Sequence, residues 1–154
     1  MVEIVAEISG NHGGDFTKAE ELISIAAWVG CDYAKFQYYK VEDMPDRHVG
    51  NNEEMYRKLA VPSKWLPGLF AHARRRNIGL FASVFSVEWA REILEFDVPH
   101  LKIAAPHSTL LPPGVYDAII AEVPPDVEII WSGRGDSQFP GKTHYCPLGH
   151  PPVI

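Results

Sequence analysis

"IVAEISGNHGGDFTKAEELISIAAWVGCDYAKFQYY", residues 4–39, holds one full period of the pattern that organises the whole chain. A short apolar run breaks into a polar, glycine-rich loop. The chain then resumes with Ala19, Leu22, Ile23 and Ala26 at a spacing that puts four apolar side chains on one helical face. Thr17-x-x-Glu20 reads as a capping box opening this helix, and Gly30 stands where a C′ residue belongs. "DYAKFQYY" (32–39) follows as a strand rich in aromatic residues. Strand, helix and strand in succession make a β-α-β unit, whose strands run parallel because the helix carries the chain back.

The alternation continues on both sides. "VEIVAEI" (2–8) is the opening strand. After the strand at 32–39 a long polar loop leads to Pro62-Ser63. A helix over about 64–76 then places Trp65, Leu69, Phe70 and Ala73 on one face. "IGLFASVF" (78–85) is the third strand, with "VEWAREILEF" as the helix behind it, and "PHLKIAAP" (99–106) is the fourth. A short helix over 113–122 starts behind Pro112, "VEIIWS" (127–132) is the fifth strand, and "THYCPL" (143–148) reads as a sixth. Repeated β-α units specify the α/β class with a parallel sheet. Right-handed connections keep the helices of one run on one side, which curls the sheet toward a barrel. A doubly wound sheet needs a reversal of strand order, and the pattern alone leaves both arrangements open.

Composition narrows the function. A chain of 154 residues is expected to form a single domain, 1–154. Its net charge of −6 argues against nucleic acid as a partner. No apolar run approaches the ~18 residues of a membrane span, so no membrane partner is expected. Cys31 and Cys146 lack metal-type spacing and fit a reducing, cytoplasmic setting. Arg74-Arg75-Arg76 reads as a helix C-terminus that complements the dipole. "GDSQFPGKT" (135–143) imitates a phosphate loop, but its glycines are one residue too far apart and no helix follows.

Polar residues interrupt the apolar strands at one end. Glu7 and Asn11, Lys35 and Gln37, Ser83, Lys102 and Ser132 all fall at or just beyond the carboxyl ends of strands. Ligands bind there in both open α/β sheets and barrels. Lysine is almost never fully buried unless paired. One acid cannot satisfy two lysines together with the hydroxyls, so the set points to a small, strongly anionic ligand, such as a phosphate that also carries a carboxylate.

These residues sit in familiar motifs. "AEISGNHGG", the helix after it, and "CDYAKFQYYKVEDM" resemble the opening of the N-acetylneuraminate (sialic acid) synthase family. "GLFASVF", "VPHLKIAAPHSTLLP" and "VEIIWSGRG" resemble later family segments in the same order. The resemblance implies a (β/α)8 barrel that condenses phosphoenolpyruvate with an N-acetylated amino sugar such as N-acetylmannosamine, releasing phosphate. It implies that Glu7 is the active-site carboxylate, and that Lys35, Lys102, Ser132 and Ser83 hold phosphoenolpyruvate. Gln37 falls in the same strand-end motif, and Asn51 lies near a family asparagine that contacts the sugar. A divalent metal (Mn or Mg) is implied as cofactor, with ligands not identifiable in this chain.

The sequence also departs from the family. Ala105 replaces a phosphate-binding serine and His107 an acidic residue, and "HYCPLGHPP" matches only faintly a ligand-binding segment. About 200 residues is the lower bound for an eight-fold barrel. A reduced barrel of five to six strands, lacking the last two β/α units, is therefore expected. Its open edges call for a second copy or a complementing chain as partner. His12, His107, His144 and His150 are candidate replacement metal ligands. Two other readings compete with the synthase. One is a non-catalytic sugar- or phosphate-binding or assembly module from the same lineage, and the other an aldolase using Lys35 or Lys102 as a Schiff base.

Overall fold

The computed structural model describes residues 2–44, 49–103, 114–132 and 142–144. Six strands form a single sheet: β1 (Val5–Glu7), β2 (Tyr33–Tyr38), β3 (Gly79–Val84), β4 (His100–Ile103), β5 (Glu128–Ser132) and β6 (Lys142–His144). They lie side by side in chain order, and every neighbouring pair is parallel. With no reversal of strand order, the doubly wound alternative falls away. The architecture is a partial (β/α) barrel.

The helices are α1 (Phe16–Trp28), α2 (Glu53–Leu59), α3 (Leu66–Arg75), α4 (Val87–Leu94) and α5 (Val115–Glu122). α1 packs beside α3 and α4 beside α5. Alternate residues of the strands face this helical layer. Ala34, Phe36 and Tyr38 of β2, Leu80, Ala82 and Val84 of β3, and Leu101 and Ile103 of β4 are all buried. They meet Ala19, Ile23 and Ala26 of α1, Leu69, Phe70 and Ala73 of α3, and Trp89 and Ile93 of α4 in one core. This is the helix periodicity of the sequence meeting the two-residue period of the strands.

Two expectations need correction. The N-cap of α1 is Asp15, not Thr17: its backbone is extended (φ −112°, ψ 120°) and its side chain accepts from the Lys18 N–H. Gly30 does follow the helix with φ +84°. The stretch before Pro62 is not a plain loop. It contains 3-10 turns at Val41–Asp43 and Gly50–Asn52 and the helix α2. Because α2 buries none of its residues, it carries no apolar period to read. Arg57 holds it instead, bonding Glu53 one turn earlier and Glu42 of the first 3-10 turn. That guanidinium holds the Glu42 carboxyl below its ordinary range. The fourth strand is described over His100–Ile103, and the rest of the run expected to reach 106 lies outside the described residues. Ala105, His107, the 133–141 segment, Cys146, Leu148 and His150 lie outside the described residues.

Candidate active site

The other face of the sheet carries Tyr33, Lys35 and Gln37 of β2, Gly79, Phe81 and Ser83 of β3, and His100 and Lys102 of β4. Strand alternation and the parallel register put them together. The register then fixes neighbours: Glu7 lies opposite Lys35, Gln37 opposite Ser83, and Ser83 opposite Lys102. Five of the sequence-derived candidates thus share one face of four consecutive strands.

Lys35 is the centre of the group. Its side chain is 5% exposed, its Nζ lies 2.5 Å from Glu7 Oε2, and it donates to Ser83 Oγ at 3.0 Å. Ser83 is itself buried, whereas the Glu7 side chain is 51% exposed. The ammonium is therefore fixed from below by the hydroxyl and neutralised from the solvent side by the acid. Lys102 is half-buried on the next strand but one. Ser132 ends β5 with its backbone opposite His144 of β6.

The loop between β1 and α1 edges this mouth. Asn11 is exposed there, while His12 turns inward and is completely buried. Its ring lies 5.5 Å from that of Trp65 and 6.0 Å from that of Phe36, and its Nδ1 accepts from the Gly14 N–H at 3.1 Å. Burial pushes the His12 imidazole below its ordinary value; the nearby Leu59 carbonyl opposes this without forming a hydrogen bond of good geometry to Nε2. His12 thus packs between Trp65 and Phe36 and anchors the loop. Gly14 has φ +81°, and a Cβ there would stand 2.7 Å from the Lys58 carbonyl, so the loop lies tightly on the end of α2. Asn51 is exposed in its 3-10 turn and makes no hydrogen bond to the Glu7–Lys35–Ser83 group. Among the described residues no group of three or more potential metal ligands gathers.

Two residues toward the amino ends, the same face is closed by rings. Tyr33 and His100 meet edge to face at 4.6 Å although β3 separates their strands, and Phe81 packs on His100 at 5.3 Å. Gly79 makes this possible, since a Cβ there would lie 2.4 Å from the Tyr33 ring. His100 Nδ1 stands 3.1 Å from Glu128 Oε2, at ion-pair distance but not in hydrogen-bond geometry. The sequence reading did not single out this floor. Its signal was present, because Tyr33, Phe81 and His100 each precede a site residue by two.

Fold and site together define a partial (β/α) barrel whose mouth carries a buried ammonium between a carboxylate and a hydroxyl. Comparison with known proteins bears on the fold and the family. The chain belongs to the NeuB family, whose model matches residues 22–113. It is 34% identical to the pseudaminic acid synthase of Helicobacter pylori over 119 residues, 67% of this chain and 34% of that protein. It is 31% identical to the N,N'-diacetyllegionaminic acid synthase of Campylobacter jejuni over 122 residues, 71% of this chain and 36% of that one. A solved N-acetylneuraminic acid (sialic acid) synthetase from Leptospira borgpetersenii superposes with a TM-score of 0.70 at 27% identity, covering 89% of this chain and 46% of that chain. The relatives share synthesis of nonulosonic acids as their theme. This chain spans about a third of the curated relatives' length.

No helix among the described residues is long and apolar enough to cross a membrane.

Proposed function

We propose that this chain carries the phosphoenolpyruvate-binding half of a nonulosonic acid synthase site. The reaction joins C3 of phosphoenolpyruvate to the aldehyde carbon of an N-acetylated amino sugar. A water supplies the oxygen that balances the loss of inorganic phosphate. The observation that carries this reading is the Lys35 ammonium, buried on the inward face of β2 and reached from solvent past a half-exposed acid. A fixed cation with a hydroxyl beside it suits an oxyanion, because charge-assisted hydrogen bonds are roughly twice as strong as neutral ones. Lys102, on the same face, gives a second cation for a ligand with two anionic groups.

In this reading Lys35 and Ser83 hold one anionic group and Lys102 the other, with Gln37 donating beside them. Glu7 lies at the edge where the aldehyde enters. Holding two reactants in this way supplies orientation. The described residues do not by themselves fit a divalent metal, and no step is assigned to one. The partners in this reading are phosphoenolpyruvate and an amino sugar, together with a second copy or a complementing chain.

The test is a thermal-shift titration of the chain with phosphoenolpyruvate, with and without Mn2+, followed by phosphate release with candidate sugars. Ligand at ~100 times its dissociation constant should stabilise the fold by about 2.7 kcal/mol. Loss of the shift in both Lys35→Ala and Lys102→Ala supports the site. No shift under either condition removes the synthase reading. Binding without phosphate release transfers the assignment to a non-catalytic module of the same lineage.

A further inference from the structure

The Lys35–Glu7 contact bears on how the mouth accepts a ligand. Lys35 is nearly inaccessible, and its two partners differ in kind. Ser83 Oγ, buried at 3.0 Å, is a neutral acceptor with no freedom to leave. Glu7 Oε2, at 2.5 Å, belongs to a side chain that is half exposed and sits at the end of the edge strand β1. An anion arriving from solvent meets the carboxylate before it meets the ammonium. Two negative groups cannot share one ammonium at contact distance without strong repulsion, since like charges so close disfavour each other's charged state.

We propose that Glu7 is a displaceable counter-ion, which occupies the anion seat of Lys35 in the free protein and swings into solvent when a phosphate-bearing ligand binds. This inference rests on the anion site proposed above. Its consequence is that the acid weakens anion binding and filters it. A weak monoanion does not compete with a carboxylate already in contact, while a multiply charged oxyanion does. The exposure difference within the pair gives the direction of movement. Glu7 can be rehydrated at little cost, whereas Lys35, held by Ser83 and walled in by the sheet, stays where the ligand needs it.

The measurement is calorimetric titration of the full chain, as wild type, Glu7→Gln and Glu7→Ala, with phosphoenolpyruvate and, separately, inorganic phosphate. Far-UV circular dichroism checks that each variant is folded. Glu7→Ala guards against an amide that still occupies the lysine. Both variants are expected to bind phosphoenolpyruvate about tenfold tighter than wild type, because a unit charge near contact distance has been removed. Binding seen only in the variants supports the proposal equally. If wild type saturates and both variants bind as well or less well, Glu7 is an ally of the ligand and the proposal is wrong, with the anion site intact. If no form binds either probe, the anion site itself falls and the proposal with it.

Discussion

The inward face of the sheet has an acid and a basic group at each end, and the two pairs are built to opposite purposes. At the mouth, the Glu7 carboxylate of the Lys35 pair is half exposed, and the other neighbour of the ammonium is a hydroxyl. At the floor, His100 faces Glu128 and is sealed by the rings of Tyr33 and Phe81. Glu7 and Lys35 lie on β1 and β2, His100 and Glu128 on β4 and β5, and all four share one strand parity, so local sequence does not separate the two pairs. What differs is the partner layer. A cation beside a neutral hydroxyl and a movable acid can exchange partners, whereas an imidazole wedged between rings cannot. In the proposed reading the mouth serves binding and the floor closure.

The largest expected effect tests the mouth. Lys35→Met should weaken phosphoenolpyruvate binding at least about a hundredfold, since a truncated charge contact costs several kcal/mol of affinity. Stability should change by only about 1 kcal/mol, because Glu7 relaxes into water and Ser83 alone loses a partner. Titration calorimetry and chemical denaturation on the same preparation read both numbers. A variant that unfolds readily yet still binds would erase the distinction between the two ends.

The floor should behave the other way. Gly79→Ala places a Cβ within 2.4 Å of the Tyr33 ring and forces that ring off His100. Overpacking of this kind costs about 2 kcal/mol. Urea unfolding should show the loss, while phosphoenolpyruvate affinity stays at the wild-type value. The double substitution with Tyr33→Leu should recover part of the stability. No recovery would mean that the ring contact is not what Gly79 protects.

The loop at the mouth adds a dependence on pH. His12 is buried with its imidazole below the ordinary value of 6.5, chiefly through burial. A depressed value in the folded state means that the unfolded chain binds the proton first. The stability held by the neutral ring is therefore whole above pH 6.5 and is lost as the pH falls toward the folded-state value. His12→Phe should flatten the stability–pH profile in that window. An unchanged slope would assign it to other groups.

Much of this was legible because strands and amphipathic helices announce themselves by period. The strand runs around Tyr33–Tyr38 and Gly79–Val84 read clearly, since their helix-facing residues alternate with the polar set. That Lys35 and Gln37 share one face followed from parity, whereas their alignment with Ser83 and Lys102 needed the register of β2, β3 and β4. The contact between Glu7 and Lys35 did not follow from parity either, because register depends on how β1 docks on β2. α2 escaped notice because nothing in it is buried, and its internal Glu53–Arg57 ion pair leaves no apolar signature. His12 read as a loop histidine, for its burial depends on Trp65, which is distant in sequence.

The start of α1 shows how two local signals compete, and it yields the smallest effect. Thr17-x-x-Glu20 and Asp15 both satisfy the pattern for an N-cap, and a reading of spacing favours the pair with a returning acid. The backbone decides otherwise. Asp15 keeps extended dihedrals at the end of the mouth loop and accepts from Lys18 N at 3.1 Å, while Thr17 is already inside the helix. The loop's length sets the choice, because His12 and Gly14 pin the preceding residues and leave Asp15 where the first turn begins. Asp15→Ala should cost about 1 kcal/mol, and Thr17→Ala only a few tenths. Thermal melts of the two variants separate these values. If Thr17→Ala proves the more costly, the helix begins later and the mouth loop is longer than its contacts with α2 imply.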